Sequence, residues 1–238
     1  MRSLIATVVF LIISVFVSIV SIPAAVFDRS GRTYLKLARF WSRLFLILYG
    51  IKVTVTGTQN VKHGVPTVYV SNHSSYVDVP AVIASVPDDI RLIFRDSLLR
   101  IPIWGWALRY SPFLMVSREN ASKAKSTFDN ATSTIRRGTA VLLFPEGTRS
   151  SDGRMQSFKR GAFKIALDSE AVVVPIAIKG TFEILPRSKR IPKSGRVSIL
   201  IGKPIPLPLE RGRAAELELM RRTEEAMLEM ISEAPAGA

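Results

Sequence analysis

From Ser3 to Phe27 the chain runs 25 residues without a charge, most of them Val, Ile, Leu or Phe. A water-facing helix needs a polar side, and this run offers none. As a helix it would be roughly 37 Å long, enough to cross or deeply enter a bilayer. A cleaved secretory signal is the alternative, since Arg2 precedes the run and Ala24 and Ala25 lie near its end; the run is longer than a usual signal core. Past Phe27 the character changes. Arg29, Arg32, Lys36, Arg39 and Arg43 interleave with Tyr34, Leu35, Leu37, Phe40, Trp41 and Leu44. That is a basic amphipathic pattern with aromatic anchors, suited to a headgroup surface. Leu44 to Ile51 is apolar but too short to span alone. Residues 1–50 therefore predict a membrane anchor, either one span or a hairpin of two helices dipping into one leaflet. The basic residues after the run outweigh Arg2 before it, so the remainder of the chain is expected on the cytoplasmic side.

Residues 51–238 alternate short β-branched runs with helical patterns. The strand candidates are Ile51–Val55, Thr67–Val70, Arg91–Phe94, Phe113–Val116, Ala140–Phe144, Val172–Ile178 and Val197–Ile201. Between the fourth and fifth, Ala121, Ala124, Phe128, Ala131 and Ile135 share one helix face, and Gly138 ends that helix. A second helix is expected near Phe158–Leu167. A third, Arg213–Glu233, is charged with a Leu217, Met220, Met227, Leu228 and Ile231 stripe, and reads as a surface helix packed on the domain. Strands alternating with helices specify an α/β domain with a mixed, largely parallel sheet flanked by helices.

Two stretches carry chemistry. The first, Ser71 to Asp78, follows an apolar strand and precedes a second apolar run. Asn72 and Ser74 are residues that cap helices, so His73 is expected on a strand-to-helix turn, with Asp78 about one turn into the helix. From there the carboxylate can reach back to the ring. A carboxylate on one imidazole nitrogen selects the tautomer and frees the other nitrogen as a base. The chain has only two histidines, which leaves few rivals for that role. The second stretch is Phe144-Pro145-Glu146-Gly147-Thr148-Arg149-Ser150, at the end of another apolar strand. In an α/β sheet, ligands gather at the carboxyl ends of strands. Gly147 permits close backbone approach, Thr148 offers a hydroxyl, and Arg149 a planar fork that suits phosphate. Lys159, Arg160 and Arg118 add positive charge nearby.

Composition narrows the partners. The net charge is +14 and the isoelectric point about 10.5, which attracts polyanions such as anionic lipid or phosphorylated substrates. The basic residues are spread along the chain and no nucleic-acid motif occurs, so nucleic acid is not expected. There are no cysteines, and with two histidines a zinc site is not expected either. No G-x-S-x-G elbow, P-loop or G-x-G-x-x-G is present.

Together the motifs resemble the 1-acylglycerol-3-phosphate acyltransferase family. The H-x-x-x-x-D block matches His73 and Asp78, and the F-P-E-G-T-R-S block matches Phe144–Ser150 in full. Val173-Val174-Pro175-Ile176-Ala177 is similar to a third block. One position departs: where the family usually has Asp-Arg, this chain has Ser117-Arg118, so acceptor identity stays open between lysophosphatidate and another lyso-lipid such as a lyso-ornithine lipid. A non-catalytic basic protein of the membrane surface is the further alternative. The resemblance implies a glycerolipid acyltransferase domain behind a membrane-docking helix pair. It implies no cofactor, only an acyl carrier protein or coenzyme A thioester as co-substrate. His73 would be the general base and Asp78 its orienter. Acceptor binding would fall to Arg118, Glu146, Gly147, Thr148 and Arg149, with Lys159 a weaker candidate. Glu146 would bond a glycerol hydroxyl or orient a basic neighbour rather than face phosphate.

Overall fold

A computed structural model of the chain describes residues 2–116 and 121–233, with the side chains of 2 and 121–127 left aside. Two helices come first, α1 (Arg2–Phe27) and α2 (Arg32–Tyr49), followed by strand β1 (Ile51–Thr56). Then come β2 (Thr67–Ser71), α3 (Asp78–Ser85), β3 (Arg91–Arg95), α4 (Trp104–Arg109) and β4 (Leu114–Val116). The chain continues through α5 (Ala121–Arg136), β5 (Ala140–Leu143), α6 (Gly161–Ser169) and β6 (Val172–Lys179). It closes with α7 (Thr181–Ile184), β7 (Gly195–Ile201) and α8 (Arg213–Glu233). All the strands expected from the β-branched runs are present, shifted by a residue or two at their ends. The short helices α4 and α7 carry too few residues for a periodic signal.

The sheet has seven strands in the order β1-β7-β6-β2-β5-β3-β4. Only the β6–β7 pair is antiparallel, so the sheet is mixed and largely parallel as expected. Its centre is β2, every residue of which is buried. A central parallel strand is covered on both faces, which is why Val68, Tyr69 and Val70 form an unbroken apolar run. Tyr69 and Leu142 point to one face, under α2 and α3; Val68, Val70 and Val141 point to the other, under α5, α6 and α8. Pro175 sits in β6 without breaking it. Its carbonyl accepts from Gly202 on the β7 side, where β7 has already ended, so the missing N–H faces a gap in the ladder.

The chain after β2 crosses beyond β5 to reach β3, and the chain after β5 crosses beyond β2 to reach β6. Their following helices, α3 and α6, cover opposite faces. The carboxyl ends of β2 and β5 therefore form a topological switch point, the place where open α/β sheets bind ligands.

The N-terminal helices pack side by side as an antiparallel hairpin. Thr7 Oγ1 bonds Tyr49 Oη at 2.8 Å, Trp41 Nε1 donates to Ser14 Oγ at 2.9 Å, and Phe10 packs on the rings of Trp41, Phe45 and Tyr49. Asp28 caps the second helix, accepting from the Thr33 N–H and hydroxyl. α1 leaves Leu4, Ile5, Leu11, Ile12, Phe16 and Ile19 exposed, an apolar outer face consistent with membrane association. α2 departs from the headgroup-surface expectation. Tyr34, Leu35, Phe45, Leu46 and Tyr49 are buried, and of the named aromatic anchors only Phe40 is exposed. Arg39 is a strut: its guanidinium donates to the carbonyls of Ile83, Val86 and Asp88, closing the end of α3. Amphipathicity shows that a helix has an apolar side but not what covers it, and here the protein covers it.

α8 buries a face that overlaps the stripe read in the sequence at Met227 and, in part, at Met220. Leu219, Thr223 and Met227 are fully buried with Ala215, whereas Leu217 and Leu228 stay exposed.

Candidate active site

The loop after β2 is held by side chains acting as backbone. Asn72 Nδ2 donates to Ile178 O at 2.9 Å and Asn72 Oδ1 accepts from Ile178 N at 2.8 Å, extending the β2–β6 ladder by one rung. Helix α3 starts only at Asp78, later than the capping residues suggested. Asp78 is therefore the first helical residue, and its carboxylate closes the loop that precedes it. Its Oδ2 accepts from Ser74 N at 2.8 Å, Ser75 N at 2.9 Å and His73 Nδ1 at 2.8 Å. An oxygen already taking two backbone N–H groups has no proton to give, so the ring nitrogen is the donor. The neutral ring then carries its proton on Nδ1 and presents an unprotonated Nε2. Asp78 is wholly buried, while the His73 side chain keeps 17% of its surface. Ser75 Oγ donates to Leu185 O, and Ser74 Oγ bonds Thr181 Oγ1 at 3.0 Å, so both serines serve the loop's architecture.

The loop after β5 lies directly against it, because β2 and β5 are neighbours and end at the same edge. Glu146 Oε1 accepts the His73 backbone N–H at 2.8 Å, and Ser150 N donates to His73 O at 2.8 Å. The Phe144 ring stacks on the imidazole with centroids 4.1 Å apart. His73 is thus gripped through its N–H, its C=O and its ring by the second motif. Gly147 makes the turn with φ of 73°, the left-handed region that favours glycine. Burial pushes the Glu146 carboxyl up to about 7, opposed by the N–H groups of His73 and Gln156 and assisted by the charge on Asp78. Its Oε2 is buried without a partner among the described residues.

Arg149 reaches back over the first loop. Its guanidinium carbon lies 3.5 Å from the centroid of the Tyr76 ring, and Nη1 is buried with no partner among the described residues. A cation stacked on an aromatic face, with a buried N–H unused, is prepared for an anion. Thr148 is exposed and Lys159 is exposed with its backbone N–H on Pro145 O, so both border the turn. Arg118 lies outside the described residues. Sequence reasoning missed Phe144 and Tyr76 as partners of His73 and Arg149; Tyr76 sits inside the first motif, and its 64% exposure marks a side chain with no core role.

The arrangement is a base with a chosen tautomer on one loop and, on the neighbouring loop, a cation stacked over Tyr76, both at the carboxyl ends of the central strands. A family model described as acyltransferase matches residues 52–179, just over half of the chain. A chloroplastic 1-acyl-sn-glycerol-3-phosphate acyltransferase of Arabidopsis thaliana is 34% identical over 171 residues, 71% of this chain and 48% of that protein. The chain spans about half the length of that relative. The alpha form of the human 1-acyl-sn-glycerol-3-phosphate acyltransferase is 28% identical over 192 residues, 80% of this chain and 68% of that protein. The crystal structure of PlsC, a 1-acyl-sn-glycerophosphate acyltransferase from Thermotoga maritima, matches with a TM-score of 0.77 at 26% identity, covering 99% of this chain and 98% of that one. A family model spanning both motifs, and a solved structure that follows the chain from hairpin to last helix, place this protein in the acyltransferase family beside the 1-acyl-sn-glycerol-3-phosphate acyltransferases.

Proposed function

We propose that the protein transfers a fatty acyl group from a coenzyme A or acyl carrier protein thioester to the sn-2 hydroxyl of 1-acylglycerol 3-phosphate, forming phosphatidic acid. The observation that carries this is the His73 Nδ1–Asp78 Oδ2 bond of 2.8 Å, whose oxygen is saturated by Ser74 and Ser75 N–H groups. The acceptor hydroxyl gives its proton to His73 Nε2 as its oxygen bonds the thioester carbonyl carbon. The tetrahedral intermediate collapses, the C–S bond breaks, and the imidazolium returns the proton to the departing thiolate. The thioester is already activated, so no protein nucleophile is required. Asp78 keeps the ring oriented and offsets the imidazolium charge. Arg149 holds the acceptor phosphate, with Lys159 and Arg118 as further cations and Thr148 as a hydroxyl donor. Glu146 acts on the main chain of His73 rather than on phosphate, which supports the expectation that it faces no anion.

α1 inserts its exposed apolar face into the bilayer while α2 stays on the domain. Such a hairpin enters one leaflet and brings the crevice to the lipid. Arg29, Arg32, Lys36 and Arg43 keep this end at the cytoplasmic surface; Arg39, engaged on α3, no longer counts toward that charge.

The test is His73→Ala in a thioester-release assay with lysophosphatidate. Removing a general base of this kind lowers kcat by roughly 10²–10⁴-fold. Turnover within tenfold of wild type would exclude His73 as the base.

A further inference from the structure

A cavity of about 590 Å³ opens at the sheet edge opposite His73. The amino ends of β3 and β5 form its floor, at Arg91 and Ala140, and the turn of the N-terminal hairpin forms its wall, at Ser30 and Arg32. Nothing in the acyl-transfer reading uses it. We propose that this cavity is a phosphate-binding site, with Arg91 and Arg137 as its principal donors and Arg32 at its mouth.

Three observations carry the proposal. Arg91 is incompletely satisfied: Nη2 donates to Ser30 O at 3.3 Å, while Nε is buried with no partner among the described residues. A buried guanidinium N–H without an acceptor is uncommon, because its desolvation is left uncompensated. Arg91 also faces a like charge. Burial and the charge of Arg137 both push its guanidinium below the usual range, and Asp89 only partly offsets them. Arg137 itself makes one bond of 3.3 Å, to Thr134 Oγ1, and no ion pair among the described residues.

The acids that line the cavity do not neutralise it. Asp88 accepts from the Tyr69 hydroxyl at 2.8 Å and lies 3.7 Å from His63 Nδ1, so its carboxylate is turned to other groups. Asp89 is the remaining acid. Arg39 also lines the cavity, but its Nε and Nη2 donate to the carbonyls of Ile83, Val86 and Asp88 at and beyond the end of α3. Two cations lining one cavity, Arg91 half-buried and Arg137 on its exposed rim, with forked donors to spare, match a phosphate better than a carboxylate or a metal ion. The cavity mouth adjoins the end of α1, where Val26 is 56% and Phe27 87% exposed. A phospholipid can therefore place its headgroup in the cavity and its chains along α1. A free phosphate ion would satisfy the same donors.

The experiment uses the full chain in detergent micelles, carrying Arg149→Ala so that the crevice at His73 contributes less to phosphate binding. Thermal unfolding is followed against dihexanoyl phosphatidic acid, inorganic phosphate and, as a control, dihexanoylglycerol. Ligands that bind the native state raise Tm saturably. The proposal expects a saturable rise with phosphatidic acid, its apparent affinity lowered at least about tenfold by Arg91→Gln and by Arg137→Gln. A rise with the lipid alone supports a headgroup site, and an equal rise with inorganic phosphate supports a free-ion site. Absence of any saturable rise, an equal rise with dihexanoylglycerol, or unchanged affinity in both glutamine variants overturns the proposal. Arg137 stands on the exposed rim, so its variant remains informative if Arg91→Gln misfolds.

Discussion

The loops after β2 and β5 meet at one edge of the sheet, yet they spend their polar groups differently. In the first, the side chains of Asn72, Ser74, Ser75 and Asp78 are turned inward on the loop or its neighbours, and Asp78 Oδ2 takes three donors while its Oδ1, also buried, has none among the described residues. In the second, Glu146 Oε2 and Arg149 Nη1 are buried with capacity unused among the described residues. A base must be held still, so the groups around it bond mainly to one another and converge on one carboxylate oxygen. A binding residue must keep something in reserve for the ligand. The first loop reads as a mount for His73 and the second as both a clamp on that mount and a receptor.

That contrast can be broken most severely at Asp78. Asp78→Asn replaces a carboxylate that accepts three donors with an amide, and frees the ring to take the other tautomer. We expect kcat to fall by roughly 10²–10⁴-fold with the acceptor KM little changed. A rise in KM without loss of kcat would show that Asp78 serves binding instead.

Glu146→Gln sharpens the comparison through pH. The folded carboxyl sits at about 7 against an ordinary 4.5, so the native chain holds its proton where the unfolded chain has lost it. Stability therefore falls as pH rises from about 4.5 through about 7, by roughly 3 kcal/mol in all. The glutamine variant keeps an acceptor for the His73 N–H and lacks this slope. Tm measured in detergent from pH 4.5 to 8 should decline more steeply for wild type than for Glu146→Gln; parallel curves would show that Glu146 is ionised throughout.

The smallest effects belong to the receptor half. Arg149→Ala should raise the acceptor KM on the order of tenfold, with the donor KM unchanged, since a charged hydrogen bond is lost. Tyr76→Leu should act in the same direction but only about two- to fivefold, the weight of an exposed cation–π contact. A larger effect of Tyr76→Leu on kcat than on KM would place the tyrosine with the mount rather than the receptor.

Much of this edge was readable before any coordinates. His73 and Asp78 announce themselves by spacing, and Phe144–Ser150 by following an apolar strand. What could not be read is how the two motifs hold each other. Glu146 looks like a ligand-facing acid because it stands in a polar turn, but its partner is a backbone group 73 residues away. Asn72 looks like a helix cap because caps favour that residue, but β6 offers it a ladder instead. Arg39 counts as a surface charge in the sequence and turns out to be a strut under α3. In each case the residue type was informative and its partner was not, because the partner arrives through strand order.

By itself the sequence determined the apolar helix, the alternation that makes an α/β sheet, and the two motifs with their chemical types. These follow from local hydrophobic period and from short spacings that any chain conformation preserves. Only the tertiary structure decided that α2 buries its apolar side on the domain, that Arg149 lies on Tyr76, and that Arg91 and Arg137 share a cavity at the far edge. Those depend on which strands become neighbours and which helices cover which face. That choice is set by burying two apolar faces of one sheet at once, a condition on the whole chain that no local segment records.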